Sequence, residues 1–430
     1  MTGHESARSP PPEADEAFDV GTPDALSRMT ELFARHGDIY RMYVPTRRAY
    51  TYVIHHPADV KRVLQSHHDN YTKGADRDRI KILLGLGLMT SEEPIWSRHH
   101  RLIQPFFHRS VIARLTDAME AATARFLTRL AEHARSATSI NLTQALSELT
   151  LEIMLTVIFG ADADSLCEPF SLISRDAARN LDFVYRFRAL GRLVLELMHR
   201  RRSGVPQQFD YLAFLLQARD AAIPTGFSER EIIDEVMTLL IAGHETTAGV
   251  LNWTWLLLSD SPECEARLHA ELTSRARDGE ALGPAFSDRS YARQVLNEVM
   301  RLYPPGWLLS RRAIGPDQLG GCDIESGANV FIPLYLLHRD PRYWPEPARF
   351  DPDRFAPGAS AARSQGAYLP FSAGPRHCIG ETLALSEMLF HLRAVVPHYR
   401  LTHVPEGPIE LEAQVNLRTR RPLRMRVESR

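Results

Sequence analysis

The sequence predicts a mainly α-helical fold with small β-sheets, of the α+β class. One helical pattern runs from Ser228 to a Ser261–Pro262 break, with only Gly243 and Gly249 inside it, and at 1.5 Å per residue such a helix is roughly 48 Å long. Helical patterns dominate from about residue 94 to Tyr303, whereas short strand patterns occur near both ends of the chain. A helix of that length in a chain of 430 residues is expected to cross a whole domain as its central element.

The first elements are a β-hairpin and a helix. Two segments of alternating polarity, 39–44 and 50–54, flank a turn at 45–48 and predict a hairpin. A helical pattern then begins at Pro94, which suits the first position of a helix, and stops before Pro105.

Two later helices carry their own start signals. Asn141 and Gln144 are spaced as a capping box, and the helix that they open is predicted to end at Gly160. The long helix is opened by a second capping box, formed by Ser228 and Glu231. An apolar helical pattern covers about 379–396, and further short strands are predicted at 308–312, 321–324, 329–332 and within 399–427.

Bulk properties indicate a soluble globular protein with a large core. The chain has a net charge of −2 and 44% hydrophobic residues. The acidic, Pro-rich residues 1–25 are predicted to be a flexible tail, and since no linker divides the remainder, residues 26–430 are expected to form a single domain. The near-neutral charge gives no reason to expect a nucleic-acid partner.

Membrane and cysteine patterns both favour the cytoplasm. No run of about 18 or more uncharged apolar residues occurs, and the nearest candidate, 236–258, carries His244 and Glu245 at its centre, so it is interpreted as a buried helix. The cysteines lack C-x-x-C spacing, which argues against a zinc site or a disulfide framework. We therefore expect a cytoplasmic monomer without a membrane anchor. The four cysteines are Cys167, Cys264, Cys322 and Cys378.

The most informative segment reads FSAGPRHCIG and ends at Gly380. It places Cys378 just before a helical pattern, where free backbone N–H groups and the helix dipole favour a thiolate. Gly374 and Gly380 would let the backbone approach a flat object, beside the apolar Phe371 and the positive charge of Arg376. A buried thiolate with a flat partner and a cation nearby points to haem held by an axial cysteine. The alternative is an ordinary buried loop cysteine.

A second constellation, AGHETT, lies within the long helix. Gly243 in mid-helix costs about 1 kcal/mol relative to alanine, which a large object packed against that face would justify. The Thr246 hydroxyl can bond back to the carbonyl of Ala242. His244 is assigned to packing or solvent rather than to iron. The alternative interpretation is a polar patch on a helix.

The Phe-x-x-Gly-x-Arg-x-Cys-x-Gly pattern resembles the haem-binding segment of the cytochrome P-450 monooxygenases. Three further segments of that family lie upstream in the family's order and spacing, and the resemblance covers roughly residues 30 to 425. It implies the P-450 fold, with the long helix across the haem and Cys378 as the axial ligand of the haem iron. It also implies that Glu245 and Thr246 form the acid–alcohol pair that delivers protons to dioxygen.

The resemblance also gives a role to a Glu-x-x-Arg pair, Glu298 and Arg301. On its own such an i, i+3 pair usually forms a solvated helix face. In the family it combines with an arginine of a Pro-x-Arg-Phe segment, which Arg354 matches. The resemblance implies a structural triad that steadies the cysteine side of the haem.

Buried haem propionates need donors and cations. Trp96 and His100 lie four residues apart on one helix, and the resemblance implies that they, together with Arg376 and Arg311, meet the propionates. Family members often carry arginine at the position of His100. Arg101 is an alternative donor there.

The substrate is expected to be hydrophobic. The resemblance places substrate contacts at Ala242, Gly306 and Leu308 and in the 73–89 loop. Trp307, next to Gly306, would narrow the substrate site. Those segments are mostly apolar, although core packing explains their leucines nearly as well. Fatty acids, terpenes, polyketides and peptide-derived molecules all remain candidates.

The resemblance implies a haem b enzyme that inserts one oxygen atom from O2 into its substrate, by hydroxylation, epoxidation or another oxidative outcome. No fused reductase is expected. Electrons from NAD(P)H would arrive through a ferredoxin or flavodoxin and its reductase, with Arg98, Arg101 and Arg109 as a docking face. The alternatives are a peroxide-driven hydroxylase or haem isomerase, whose members typically lack the acid–alcohol pair, and a non-enzymatic haem sensor or carrier.

Overall fold

Helices dominate the chain, as the sequence predicts. The computed structural model describes residues 10–15, 18–74, 77–175, 181–203, 209–219, 226–277, 289–359 and 366–430. In chain order the described helices are α1 (Ala25–His36), α2 (Pro57–Lys61), α3 (Arg77–Leu84), α4 (Ile95–Ile103), α5 (Arg109–Ile112), α6 (Thr116–Ser136), α7 (Leu142–Phe159), α8 (Ala163–Phe170), α9 (Leu172–Arg175), α10 (Leu181–Ser203), α11 (Tyr211–Gln217), α12 (Glu229–Ser259), α13 (Pro262–Arg277), α14 (Tyr291–Leu302), α15 (Leu334–Leu337) and α16 (Glu381–Val395).

The strands are short and form small sheets. In the described chain they are β1 (Ile39–Val44), β2 (Ala49–Ile54), β3 (Tyr71–Lys73), β4 (Ser139–Asn141), β5 (Leu308–Ala313), β6 (Asp317–Leu319), β7 (Cys322–Ile324), β8 (Asn329–Pro333), β9 (Tyr399–His403), β10 (Leu411–Ala413), β11 (Leu417–Thr419) and β12 (Arg424–Ser429). The main sheet has the order β1-β2-β8-β5-β3, and smaller sheets have the orders β4-β12-β9, β6-β7 and β10-β11.

The chain divides into two compact units, each made of separate segments. Unit 1 comprises Met1–Arg77, Glu298–Cys378 and Glu410–Arg420 and contains the main sheet. Unit 2 comprises Asp78–Asn297, Ile379–Ile409 and Arg421–Arg430 and contains the long helix α12. The expectation that residues 26–430 form one catalytic domain stays a prediction.

Unit 1 is built on the predicted hairpin. β1 and β2 pair antiparallel, with Tyr40 opposite Val53, and β2 continues parallel to β8. Because successive strand residues point to opposite faces, Tyr52 and Val53 enter different apolar clusters, and both are buried. Buried apolar side chains therefore pack on both faces of the main sheet.

The start of the chain differs from the predicted flexible tail. The Ala14 amide donates to the Arg41 carbonyl at 2.8 Å, and the Arg41 amide donates to the Pro12 carbonyl at 2.9 Å. Ala14 is buried in the cluster that contains Met42 and Val53. Residues 12–14 are thus bound along β1, because pairing satisfies their backbone and burial stabilises Ala14. Residues 1–9 and 16–17 of the predicted tail lie outside the described residues.

Unit 2 is organised around α12. Ser228 and Glu231 form the predicted capping box, and the helix runs for 31 residues to Ser259. Most of its side chains from Ile232 to Leu258 are buried, and α7 packs along it. The sequence thus predicted both the start and the length of this helix.

The start of α7 was predicted only in part. The Asn141 side chain accepts the Gln144 amide at 3.1 Å, as expected, and the helix ends before Gly160. The Gln144 side chain turns instead to Glu148 at 2.9 Å, so the reciprocal half of a capping box does not form. Similarly, Pro94 precedes α4 as its N-cap rather than being its first helical residue.

One segment, Leu142–Phe170, is long and apolar enough to cross a membrane by length and composition, among the residues that the structure describes. It is a stronger candidate than the 236–258 segment, which carries two polar residues at its centre. Of the 18 consecutive residues that make Leu142–Phe170 apolar enough, 67% are buried inside the protein, which is typical of a core helix.

Candidate functional site

In unit 1, the cysteine loop lies between Phe371 and Cys378. The Cys378 amide donates to the Phe371 carbonyl at 2.9 Å, which closes the loop. The Cys378 side chain is exposed. The helix that follows starts at Glu381 with Gly380 as its N-cap, so the sulfur lies just before the helix N-terminus. The loop thus presents its thiol on its surface, as a ligand for a partner requires.

Gly374 has a role in packing that the sequence did not predict. It adopts φ +72°, and a Cβ at this position would overlap the Leu64 carbonyl. Glycine is therefore required because the loop packs against the backbone at Leu64, within unit 1 itself. The close approach of this backbone to a flat partner stays a prediction.

The structure brings Glu298, Arg301 and Arg354 together, also in unit 1. Arg301 donates from Nε and Nη2 to the two oxygens of Glu298, each at 2.7 Å. Arg354 Nε lies 3.4 Å from Glu298 Oε1, an ion-pair contact that is longer than the two hydrogen bonds. Glu298 Oε1 also accepts the Asp351 amide at 2.9 Å, so the carboxylate fixes the segment that carries Arg354. The predicted triad is present as geometry.

Arg301 also forms hydrogen bonds to backbone carbonyls, which connect the Glu298–Arg301 ion pair to neighbouring segments. Both Glu298 and Arg301 have side chains that are 0% exposed. Burial raises the pKa of Glu298, and the Arg301 guanidinium opposes that rise by favouring the carboxylate. The remaining guanidinium donors reach the carbonyls of His338, Pro347 and Arg349. Arg301 thereby holds two separate backbone segments in place, one at His338 and one at 347–349.

The two arginines expected near the haem propionates occupy different settings. Arg311, on β5, is 7% exposed and donates to the Ser310 carbonyl at 2.8 Å. Arg376 is partly exposed and lies in the cysteine loop, two residues before Cys378. Arg311 thus places a buried guanidinium in unit 1, and Arg376 a partly exposed one.

The substrate residues predicted after α14 are only partly supported. A Cβ added to Gly306 would meet no atom within 4 Å, so open space surrounds it. Leu308 is half-buried beside an apolar cluster. Trp307, expected to narrow the site, is instead a core residue: it is 2% exposed and donates from Nε1 to the Gln414 carbonyl at 2.8 Å.

In unit 2, α12 has one partly exposed face in an otherwise buried stretch. Ala242, Glu245, Thr246 and Gly249 are each half-buried, at spacings of three, four and seven residues, so they share one side of the helix. A Cβ added to Gly249 would meet no atom within 4 Å. Small and polar side chains thus line an open face at the middle of the longest helix.

The local hydrogen bonds match the expectation for this segment. The Thr246 hydroxyl donates to the Ala242 carbonyl at 2.7 Å. His244 points the other way: it is buried, and its Nε2 lies 2.9 Å from the Ser147 hydroxyl, which confirms its assignment to packing. A Cβ on Gly243 would lie 2.7 Å from the sulfur of Met154, a residue of α7. The absence of a side chain at Gly243 therefore lets α7 pack closely against α12. The large object expected against Gly243 is a neighbouring helix.

The Trp96 and His100 rings lie side by side on α4, with centroids 4.9 Å apart and planes inclined by 34°. Both are half-buried, whereas Arg101 is exposed. Arg98 was expected on an exposed basic face, but it is half-buried and paired. Its guanidinium lies 2.8 Å from Glu231 and donates to the Gly226 carbonyl at 2.7 Å.

A buried cluster next to these residues was not predicted from the sequence. His99 is fully buried, and its ring nitrogens face Glu235 at 2.6 Å and Glu231 at 3.1 Å. The contacts span more than 130 positions in sequence, and only the i, i+4 spacing of the two glutamates on α12 could have indicated a shared partner.

Comparison with known proteins settles the family. The family model described as Cytochrome P450 matches residues 12–199 and 186–425. This chain belongs to the cytochrome P450 family. A cyclooctatin synthase of Streptomyces melanosporofaciens is 33% identical over 420 residues, covering 92% of this chain and 89% of the relative. A pentalenene oxygenase of Streptomyces avermitilis is 30% identical over 425 residues, covering 94% and 93%.

A solved cytochrome P450DA heme domain has the same fold, with a TM-score of 0.84 and 22% identity, over 99% of this chain and 98% of that one. The P-450 fold predicted from the sequence is therefore confirmed. Membership of the cytochrome P450 family makes this chain a monooxygenase, an oxidoreductase that uses haem and O2.

The residues present fit a haem. In unit 1 the loop offers an exposed thiol at Cys378, and Arg311 offers a buried cation. In unit 2 the open face of α12 has small residues, Ala242 and Gly249, against which a flat ring can pack. A soft thiolate is the donor that haem iron takes in this family.

Proposed function

We propose that this P450 inserts one oxygen atom from O2 into an apolar cyclic substrate of the terpene type, with electrons from a separate redox partner. The observation that carries the proposal is the open face of α12, where an acid and an alcohol lie side by side on a surface of small residues. That combination suits proton delivery beside a bulky apolar molecule.

Cys378 is proposed as the axial ligand. Its position just before the N-terminus of α16 favours the thiolate, because the free amides and the helix dipole stabilise negative charge there. The hydrogen bond from the Cys378 amide to Phe371 fixes the loop, so the sulfur is held without rearrangement. When bound, haem supplies the activation of dioxygen, and a thiolate ligand favours cleavage of the O–O bond.

Glu245 and Thr246 are proposed as the proton relay. The Thr246 hydroxyl donates its hydrogen to the Ala242 carbonyl, which leaves its oxygen lone pairs directed away from the helix to accept from water. Glu245 is half-buried on the same face, so its carboxyl can exchange protons with solvent. The pair can therefore pass protons inward while the rest of α12 excludes water.

Four residues are proposed to meet the two haem propionates. Arg311 and Arg376 supply guanidinium groups, of which the first is buried and the second half-buried. Trp96 supplies an indole N–H, and the neighbouring His100 supplies positive charge when it is protonated. Arginine keeps its charge at every physiological pH, whereas the contribution of His100 depends on pH.

The substrate class follows from side chains and relatives together. Ala242 and Leu308 give the proposed substrate contacts an apolar character, and Gly306 adds room without adding polarity. Relatives at 30% identity or above are named for pentalenene and for cyclooctat-9-en-7-ol, a hydrocarbon and an alcohol. A cyclic terpene or its alcohol fits a site of this chemistry.

Electrons are proposed to come from NAD(P)H through a ferredoxin or flavodoxin and its reductase. Arg101 and Arg109 are exposed and provide positive charge for an acidic carrier. Arg98 is excluded from that face because it is bound to Glu231. Both partners and the cytoplasmic location belong to the proposal.

The test uses haem-loaded protein and a panel of cyclic terpenes and terpene alcohols. A substrate should shift the Soret band and, with a surrogate ferredoxin, its reductase and NADPH under ¹⁸O₂, yield a product with one labelled oxygen atom. Fatty acids of similar carbon number serve as the matched panel. Labelled oxygen only in fatty-acid products would overturn the substrate class. Turnover driven by hydrogen peroxide alone, with none from the reductase system, would replace the proposal with a peroxide-driven hydroxylase.

A further inference from the structure

Residues 85–88 form a turn that two carboxylates of α12 hold in place. The Leu86 amide donates to Asp234 Oδ2 at 2.8 Å. The Leu88 amide donates to Glu235 Oε2 at 3.1 Å. The anchors are adjacent in sequence and lie near the start of the buried stretch of α12, so the turn has no freedom to slide along the helix.

Two glycines allow the turn to approach this closely. Gly85 has φ +65°, and a Cβ there would overlap the Asp234 carboxyl group. A Cβ on Gly87 would overlap the Thr238 hydroxyl and lie 2.6 Å from the Asp234 carbonyl. The Leu86 side chain, by contrast, is 47% exposed. The turn is thus fixed by its backbone and presents an apolar side chain outward.

His99 contacts the carboxylate that holds Leu88. Its Nδ1 lies 2.6 Å from Glu235 Oε1, and its Nε2 lies 3.1 Å from Glu231 Oε1. Carboxylate oxygens only accept, so each ring nitrogen needs its own hydrogen to make both bonds, and the ring is then an imidazolium. Burial by itself lowers the pKa of His99, but the hydrogen bonds and charges of the two glutamates outweigh it and raise the pKa.

The surroundings contain further charged and titratable groups. Arg98, on the same helix α4, pairs with Glu231 at 2.8 Å. On α12, Arg230 pairs with Asp234 at 3.0 Å. From α11, the buried Tyr211 hydroxyl senses the charge of Glu235, and burial raises the pKa of Tyr211 well above its ordinary value, so it stays neutral. Glu235 therefore has no arginine of its own among these contacts, and His99 is the cation that it touches.

We propose that His99 is a positioning residue: as an imidazolium it keeps Glu235 ionised and hydrogen-bonded to the Leu88 amide, and so sets how firmly the 85–88 turn is closed on α12. An anionic acceptor binds an amide roughly twice as strongly as a neutral one. When His99 loses a proton, Nε2 turns a lone pair toward Glu231, and Glu235 loses its counter-charge while buried. The hold on Leu88 then weakens, while Asp234 still holds Leu86.

The consequence for substrate entry rests on the proposed function and on the substrate contacts that the family resemblance implies for the 73–89 loop. A turn that opens as the pH rises above the ordinary imidazole pKa of 6.5 would loosen the apolar wall that Leu86 and Leu88 provide. Substrate affinity should then fall with rising pH, with the turnover number less affected, because the residue acts on the entry wall and not on the reacting atoms.

The first test is amide hydrogen exchange, resolved to single residues, on the haem-loaded protein between pH 6 and 9. Protection is taken as the measured rate relative to the intrinsic rate at each pH. In the wild type, protection of Leu88 should fall above pH 6.5 by up to about tenfold per pH unit, the slope that one linked proton allows. Protection of Leu86 should change far less, because Asp234 does not contact His99.

Three variants separate this role from ordinary packing. His99→Gln should leave Leu88 weakly protected at every pH, and Glu231→Gln, which keeps the capping-box pattern at the start of α12, should shift the pH response downward. Asp234→Asn should lower protection of Leu86 with no pH dependence. His133→Gln, on a half-buried histidine of α6 bonded to Thr138, is the matched control. A pH response of Leu88 that survives in His99→Gln would overturn the proposal.

A second readout keeps the two proposals distinguishable. The dissociation constant of a spin-shifting terpene, measured across the same pH range, should rise with the loss of Leu88 protection in the wild type and stay flat in His99→Gln. If the exchange response depends on His99 but no terpene binds, the positioning role stands and the proposed substrate class fails. If terpenes bind and Leu88 protection is flat with pH, the positioning role fails and the proposed function stands.

Discussion

Replacing Arg301 by lysine tests the buried network most sharply, because lysine keeps the charge and loses the geometry. The Arg301 guanidinium makes five hydrogen bonds: two to Glu298, and one each to the carbonyls of His338, Pro347 and Arg349. Its side chain is 0% exposed, so no water replaces a lost donor.

The expected cost follows from counting donors. Lysine has three donors on one nitrogen, so at least two of the five bonds are lost. Each buried acceptor left unpaired costs about 1–3 kcal/mol, so two unpaired acceptors should cost about 4 kcal/mol. At about 2.1 cal/mol/K per residue, 430 residues give an unfolding entropy of about 0.9 kcal/mol/K, and Tm should fall by about 4 °C.

The assay measures Tm and haem content together, since the network fixes the segment that carries Arg354. Arg301→Lys should purify with less haem per chain than the wild type and melt at lower temperature. Arg349→Lys is the matched control, because that side chain is 63% exposed and pairs with Glu346 at the surface, a contact worth about 0.2–1 kcal/mol. Arg301→Lys with full haem content and a Tm equal to that of the control would refute the reasoning.

Three further outcomes follow from single side chains. Thr246→Ala should keep the haem spectrum but release several-fold more peroxide per NADPH consumed, because reducing equivalents are diverted to peroxide. The control Thr254→Ala removes an equivalent hydroxyl-to-carbonyl bond on the same helix and should leave this ratio unchanged. Gly374→Ala should destabilise unit 1 more than Gly321→Ala, since both have positive φ but only the first would collide with backbone; equal urea midpoints would contradict the packing argument. Burial lowers the pKa of His391 to about 3, so the neutral ring's contribution to stability is present above pH 6.5 and is lost as the pH falls toward 3. The loss in unfolding free energy at pH 5 should be about 2 kcal/mol. A His391→Asn variant as acid-sensitive as the wild type would contradict this assignment.

Local signals explain what the sequence predicted well. The start of α12 was predicted because Ser228 and Glu231 satisfy each other within four residues, and the hairpin because alternation and a turn lie within 16 residues. Strand bounds were within one or two residues for β5 and β8. The back-bond of Thr246 is likewise fixed by the geometry of one helical turn.

Long-range packing explains what the sequence did not predict. The partner of Gly374 is Leu64, and that of Gly243 is Met154; both lie far away in sequence and carry no pattern that names them. The binding of residues 12–14 to Arg41 depends on a free strand edge that only the folded sheet has. The triad with Arg354 was predicted through the family resemblance, since acid–base spacing alone indicates only a helix surface.

The central claim is that Cys378 carries the haem iron as a thiolate. The most direct measurement is the carbon-monoxide difference spectrum of reduced wild type, Cys378→Ser and Cys322→Ser; Cys322 is a half-buried cysteine of β7 in the same unit. We predict the thiolate-type Soret band in the wild type and Cys322→Ser, and its loss in Cys378→Ser. A thiolate-type band that persists in Cys378→Ser would contradict the account.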